Sequence, residues 1–239
     1  AGIAGIDPED ASTGSAAWAE WLVDGDLGHE IDDREIPEEW STGYIPLRKA
    51  EPYEDPAPEN NEGAVYRLNP ALVDWAYGLT KDIELMDNEE IAAMRAQYSN
   101  HPKANTVPRV MKGDQLAAMT YWHGELMNQW ANQWVDYWTN GEGNFVTSAM
   151  EDTGSLQSLT FLDRAGKVDV DRVLVLRTGS NFTMQHPEIS AAQSLAGEKL
   201  KGGGYSAFIP AVEAAWKVGS PVVEELVSNW ELYQNTIPK

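Results

Sequence analysis

A chain of 239 residues is long enough for one large α/β domain or two small ones, and its 42% apolar residues supply a core. With 38 acidic against 17 basic residues the formal net charge is −21 at pH 7, a field that repels phosphate backbones and anionic lipid and so excludes nucleic acid and membrane surfaces as partners. Cysteine is absent, which removes disulfides, thiolate metal sites and a cysteine nucleophile, and no apolar run reaches the roughly 20 residues that span a bilayer.

Ala1 to Ile6 (AGIAGI) is a short apolar segment with two glycines that reads as the end of a strand, followed by the turn Asp7-Pro8-Glu9-Asp10. The opening has neither an initiator Met nor the basic and long apolar regions of a signal peptide, so the chain is expected to be a processed or partial product of a longer precursor. Ser15 to Leu27 (SAAWAEWLVDGDL) carries Trp, Leu and Val and reads as a strand, with a helix as the alternative that its alanines allow. Gly28 to Glu62 is rich in Asp, Glu and Pro and has no periodicity; residues 28–62 are expected to be an irregular excursion from a single domain covering 1–239.

Asn69 to Leu79 (NPALVDWAYGL) opens with an N-cap and an N1 proline and places Leu72, Trp75, Ala76 and Leu79 on one helical face. A second helix, Asp87 to Tyr98, has Glu89 and Glu90 in its first turn, where the helix dipole favours them. Asn105 to Lys112 is a short strand or extended segment. His123 to Gly141 is the clearest helix, with Leu126, Trp130, Trp134 and Trp138 spaced by four and Asn140-Gly141 as the C-cap. Its tryptophan stripe reads as core packing, with ligand stacking as the alternative. Met150 to Arg164 is a further helix, Val173 to Leu176 a core strand, and Ala207–Val218 and Pro221–Asn235 two terminal helices parted at Gly219-Ser220. Strands alternating with helices predict one α/β domain with helices on both faces of a sheet. The four histidines, His29, His101, His123 and His186, have no metal-ligand spacing, so no metal site is expected.

Three segments place polar groups at the edge of an apolar element. The apolar run Val173–Leu176 ends in Arg177, Thr178, Gly179, Ser180 and Asn181. Every strand must end somewhere, but in open α/β sheets ligands also bind in the crevice beyond the carboxyl ends of the strands. Asn181 offers a donor and an acceptor side by side, the pairing that reads a purine edge; it is otherwise a turn residue. It also opens the glycosylation sequon Asn181-Phe182-Thr183, which a buried pocket amide would contradict. In TSAMEDTGSL, Glu151 either caps the helix that it opens or accepts hydrogen bonds from a diol. In AGIAGI the glycines allow a ligand close to the backbone.

The order AGIAG, TYWHG, AMEDTG, LRTGSN and GGGYSAFIPAVEAAWKVGSPVVEEL, across essentially the whole chain, resembles the purine nucleoside permease family of fungi and bacteria. That family in turn looks related to the nucleoside phosphorylases and nucleosidases. The resemblance implies a three-layer αβα fold around a mixed central sheet, lacking its N-terminal strands here and completed by a missing N-terminal segment. It implies that Ile3, Ala4 and Gly5 form the Gly-rich ligand contact, that Met150 and Glu151 bind ribose, and that Ser180 and Asn181 read the base with Tyr121 or Trp122 stacked on it. An asparagine at 181 cannot donate a proton to adenine N7 and suits a 6-oxopurine. The superfamily's phosphate loop would precede Ala1, which leaves Arg177 as the one nearby cation for phosphate; pairing with Asp152 or Asp163 is its alternative.

What the resemblance implies for function is cleavage of the N-glycosidic bond of a purine nucleoside. Glu151 would hold the sugar, and Asn181, as the catalytic residue, would steady the departing base. No cofactor is called for, and inorganic phosphate is the candidate co-substrate against water. The alternatives are a non-catalytic nucleoside receptor or uptake component, and an extracellular scaffold with a vestigial pocket. A homo-oligomer and a secreted, periplasmic or cell-surface location follow from the same resemblance.

Overall fold

The computed structural model describes residues 1–59, 61–200 and 207–239, the side chains of 198–200 aside. In chain order the strands are β1 (Gly2–Ile6), β2 (Ala16–Ala19), β3 (Trp21–Asp24), β4 (Gly28–Glu30), β5 (Tyr44–Pro46), β6 (Val65–Arg67), β7 (Val110–Lys112), β8 (Asp114–Ala117), β9 (Phe145–Ala149) and β10 (Val175–Phe182). The helices are α1 (Pro70–Thr80), α2 (Glu89–Arg95), α3 (Glu125–Thr139), α4 (Asp152–Arg164), α5 (Ala191–Leu200), α6 (Phe208–Ser228) and α7 (Trp230–Tyr233). Eight strands form one mixed sheet in the order β6-β3-β8-β9-β1-β10-β2-β7. Of the motif GGGYSAFIP, Gly202 to Ser206 lie outside the described residues.

The expected strand Ser15–Leu27 is real but broken at Glu20, and its partner is broken at Gly113. β2 runs parallel to β7 and β3 parallel to β8, so the two broken strands stay side by side across the bend. The amides left without a ladder partner at the break are taken by one carboxylate. Asp114 accepts from Glu20 N at 3.0 Å and Trp21 N at 2.8 Å, and its other oxygen accepts from Asn144 N at 2.8 Å. Burial pushes its carboxyl up, against those three hydrogen bonds. Followed partner by partner, β1, β10, β2–β3, β7–β8 and β9 lead back to β1, so the sheet curls on itself.

Helices cover both faces. On β3 the adjacent Leu22 and Val23 point to opposite sides, as the strand period requires. Leu22 packs with Val73 of α1, Leu156 of α4 and Val218 of α6; Val23 packs with Trp130, Trp134 and Trp138 of α3. A third cluster joins Ile6, Val146 and Phe182 to Met94 of α2 and to Tyr98 just after it. This is the three-layer αβα arrangement around a mixed sheet. Among the described residues no helix is long and apolar enough to cross a membrane.

Several expectations need correction. The excursion 28–62 is not wholly irregular: β4 and β5 pair antiparallel, and Tyr44 and Tyr53 pack on the aromatic face of α3. The buried face of α1 is Leu72, Val73, Ala76 and Thr80, while Leu79 is exposed. Thr80 wins its place because its hydroxyl accepts from Trp18 Nε1 at 2.9 Å. Leu126 of the α3 stripe is exposed, whereas the three tryptophans are core. No break occurs at Gly219-Ser220; α6 runs through Pro221 because Ala211, Ala214, Val218 and Val222 form one buried stripe across it. The strand expected at Val173–Leu176 runs on to Phe182, so its polar residues lie within the sheet and not beyond its end.

Asp7, fully buried after β1, accepts from Glu9 N, from Asn128 Nδ2 and from Asn132 Nδ2 of α3. Burial pushes its carboxyl up to about 6 in spite of these bonds. A carboxyl raised in the folded state holds its proton longer than the unfolded chain does. Its contribution is therefore present below about pH 4 and lost as pH rises towards 6, up to about 3 kcal/mol for a rise of that size. Urea unfolding at pH 4.5 and 7 is expected to show a steeper loss of stability in the native chain than in Asp7→Asn. Equal pH dependence in the two would remove Asp7 as the source.

Candidate functional site

The polar stretch of β10 is organised by its two neighbours. β10 pairs parallel with β1 from Gly2↔Arg177 to Ala4↔Gly179, and then the register shifts to Gly5↔Asn181. Ser180 is the extra residue. A bulge of this kind re-aims side chains in a strand. Here the Ser180 hydroxyl donates to Ala4 O and sits 2.9 Å from Asn181 Oδ1. Asn181 Nδ2 donates to Tyr121 Oη at 3.1 Å. The amide is thus held in one orientation at 4% exposure, within a strand. That decides the sequon question: a glycan on this nitrogen does not fit the folded chain.

Two adjoining clefts meet at Asn181. The outer one is lined by Ile3, Ala4, Gly5, Tyr121, Ser148, Ala149, Met150, Glu151, Ser180 and Asn181. The inner one shares Gly5, Tyr121, Ser148, Met150 and Asn181 and adds Trp122 and Thr183. Every residue expected at the sugar, the base and the Gly-rich contact therefore borders one of the two. Gly5 keeps the space open: a Cβ there would lie 3.0 Å from Thr183 Cγ2 and 3.7 Å from Asn181 Nδ2. Of the two aromatic candidates, Tyr121 borders both clefts. Trp122 borders the inner one and packs edge-on against Trp130 with ring centres 6.0 Å apart.

Glu151 is the N-cap of α4 by position but makes no capping bond with its side chain. Its carboxylate accepts from Arg177 Nη2 at 2.6 Å and is otherwise solvent-exposed at the cleft mouth. Arg177 is buried and committed: Nε and Nη2 donate to the two oxygens of Asp152 at 2.7 and 2.9 Å, and Nη1 donates to Ile3 O at 3.1 Å. Burial works against its charge, and the bonds and charges of Asp152 and Glu151 outweigh it, so the guanidinium is held above its ordinary value. Arg177 does not line either cleft. Its partner is Asp152, the alternative to the phosphate role, and its place is that of a positioning residue tying β10 to β1 and to the start of α4.

Sequence reasoning missed Ser148 and Ala149, which end β9 and line both clefts. The signal was the run Phe145-Val146-Thr147 directly before the Met-Glu pair. It also missed the chain of bonds behind the site, in which Thr183 donates to Asn128 Oδ1 and Asn128 donates to Asp7.

Comparison with known proteins follows the same span. The family model described as purine nucleoside permease matches residues 1–238. A probable purine nucleoside permease of Schizosaccharomyces pombe is 31% identical, over 97% of this chain and 67% of its own length. A purine nucleoside permease of Candida albicans is 29% identical, over 96% of this chain and 56% of its own length, so the chain spans little more than half of that relative. Among solved structures, a 5'-methylthioadenosine/S-adenosylhomocysteine nucleosidase of Neisseria meningitidis aligns at 12% identity with a TM-score of 0.45, over 94% of this chain and 68% of that one. A futalosine hydrolase of Helicobacter pylori aligns at 15% with a TM-score of 0.46, over 94% and 66%.

Proposed function

The chain belongs to the purine nucleoside permease family, and on that premise we propose that the paired clefts bind one purine nucleoside. The observation that carries this reading is the meeting of Gly5, Glu151 and Asn181 on one continuous hollow. The sugar lies in the outer cleft, its hydroxyls donating to the exposed carboxylate of Glu151 and its ring over Met150. The base enters the inner cleft beside Tyr121, with the fixed amide of Asn181 at its edge. An ionised carboxylate accepts hydrogen bonds only, which suits a diol; an amide both donates and accepts, which suits a 6-oxopurine.

The finer reading is that the bound nucleoside is cleaved at its N-glycosidic bond. The feature favouring it is the position of Asn181 on both clefts; its two Nδ2 hydrogens go to Tyr121 Oη and Phe182 O, so it donates to a base by exchanging one of those bonds as negative charge develops there. Water or phosphate then takes the sugar. Among the described residues no cationic side chain lines either cleft. The experiment is to incubate the chain with inosine, guanosine and adenosine, with and without phosphate. Binding by calorimetry and base release by chromatography are then followed together. Saturable binding of inosine or guanosine is expected. Base release without phosphate supports hydrolysis and release only with it supports phosphorolysis. Binding with no release leaves a receptor, and no binding of any purine nucleoside overturns the assignment.

A further inference from the structure

A third hollow, bordered by Trp122, is not used by the nucleoside reading. Trp122, Ala118 and Thr120 border both this hollow and the inner cleft. Its walls are aromatic: Trp122 and Trp130 stand edge to face at 6.0 Å, and Tyr44 lies against Trp130 with ring centres 4.6 Å apart. Its rim is acidic, carrying Asp26 and Glu30 with His29 between them in sequence. Burial first, and then the charges of Glu30, Asp33 and Asp26, push the Tyr44 phenol up, so the negative field reaches the aromatic wall. The indole nitrogens of Trp122 and Trp130 are buried with no protein acceptor, and Trp130 is only 3% exposed. The hollow exists only because the excursion folds back, since Tyr44 comes from β5, and His29 and Glu30 from β4.

Aromatic faces attract cations through the ring quadrupole, and nearby carboxylates add to the attraction. Neutral apolar ligands gain nothing from the acidic rim, and anions are repelled by it. We infer that the hollow formed by Tyr44, Trp122 and Trp130 under Asp26 and Glu30 is a binding site for a small organic cation of the alkylammonium class. It is distinct from the nucleoside cleft.

The test titrates the chain with choline chloride at ionic strength held constant with sodium chloride, following tryptophan fluorescence. The uncharged isostere 3,3-dimethylbutan-1-ol is run in parallel. A saturable response to choline is expected, with half-saturation at least about tenfold below that of the alcohol. Glu30→Gln, an exposed position, is expected to weaken choline at least about threefold, and Tyr44→Leu to weaken it further while keeping the wall apolar. Asn181→Ala is expected to leave choline binding unchanged, which separates this site from the nucleoside reading. Equal binding of the alcohol and choline would overturn the proposal, as would no saturable response below about 100 mM, or loss of choline binding in Asn181→Ala.

Discussion

Arg177→Met is expected to lower folding stability by about 3–5 kcal/mol, the range for removing one partner of a buried ion pair. The guanidinium and the Asp152 carboxylate have side-chain exposures of 9% and 15%. Taking the cation away leaves Asp152 desolvated and unpaired, and strips Ile3 O of a donor in the middle of the β1–β10 pairing. Glu151, at 66% side-chain exposure, loses little by returning to solvent. The physical origin of the loss can be separated from mere misfit. Because the penalty is an uncompensated charge, Arg177→Met combined with Asp152→Leu should recover most of the stability, since apolar replacement of a whole buried pair is often neutral. Urea unfolding of the two variants measures this. A single-variant loss under about 1 kcal/mol, or a double variant no better than the single, would contradict the account.

Glu151→Ala is expected to weaken guanosine binding by at least about tenfold, from the loss of hydrogen bonds to a charged acceptor. Stability should change by no more than about 0.5 kcal/mol, since the side chain caps nothing and sits in solvent. The two variants then differ in kind. Arg177→Met lowers stability, and lowers affinity only by loosening the carboxylate that it holds at 2.6 Å; Glu151→Ala lowers affinity alone. Calorimetry with guanosine on the folded variants reads this directly. Unchanged affinity in Glu151→Ala would take the residue out of the site and with it the placement of the sugar.

Elements whose signal is local were legible in the chain. Asn69-Pro70 announces α1 because the asparagine side chain accepts from Ala71 N and Leu72 N, and Asn140-Gly141 announces the end of α3 because Asn140 adopts the left-handed conformation. The short strands β6, β8 and β9 were not legible. Each is three to five residues long, and each is a strand because a neighbour offers it a ladder, not because its own sequence alternates. Pro221 within α6 shows the opposite error: a local breaker signal is overruled by a buried stripe whose partners are far away in sequence.

The residue types at the site belong to the sequence: a carboxylate at 151, an amide at 181, glycines at 2 and 5, and a formal net charge of −21. Their convergence belongs to the tertiary structure. β1 and β10 lie side by side although about 175 positions apart in the chain, and a one-residue bulge there decides which way Ser180 and Asn181 face. Arg177 looked like an anion ligand as a letter in a polar run. In the fold it is a buried cation already answered by Asp152, because a charge removed from water must find its partner within the protein.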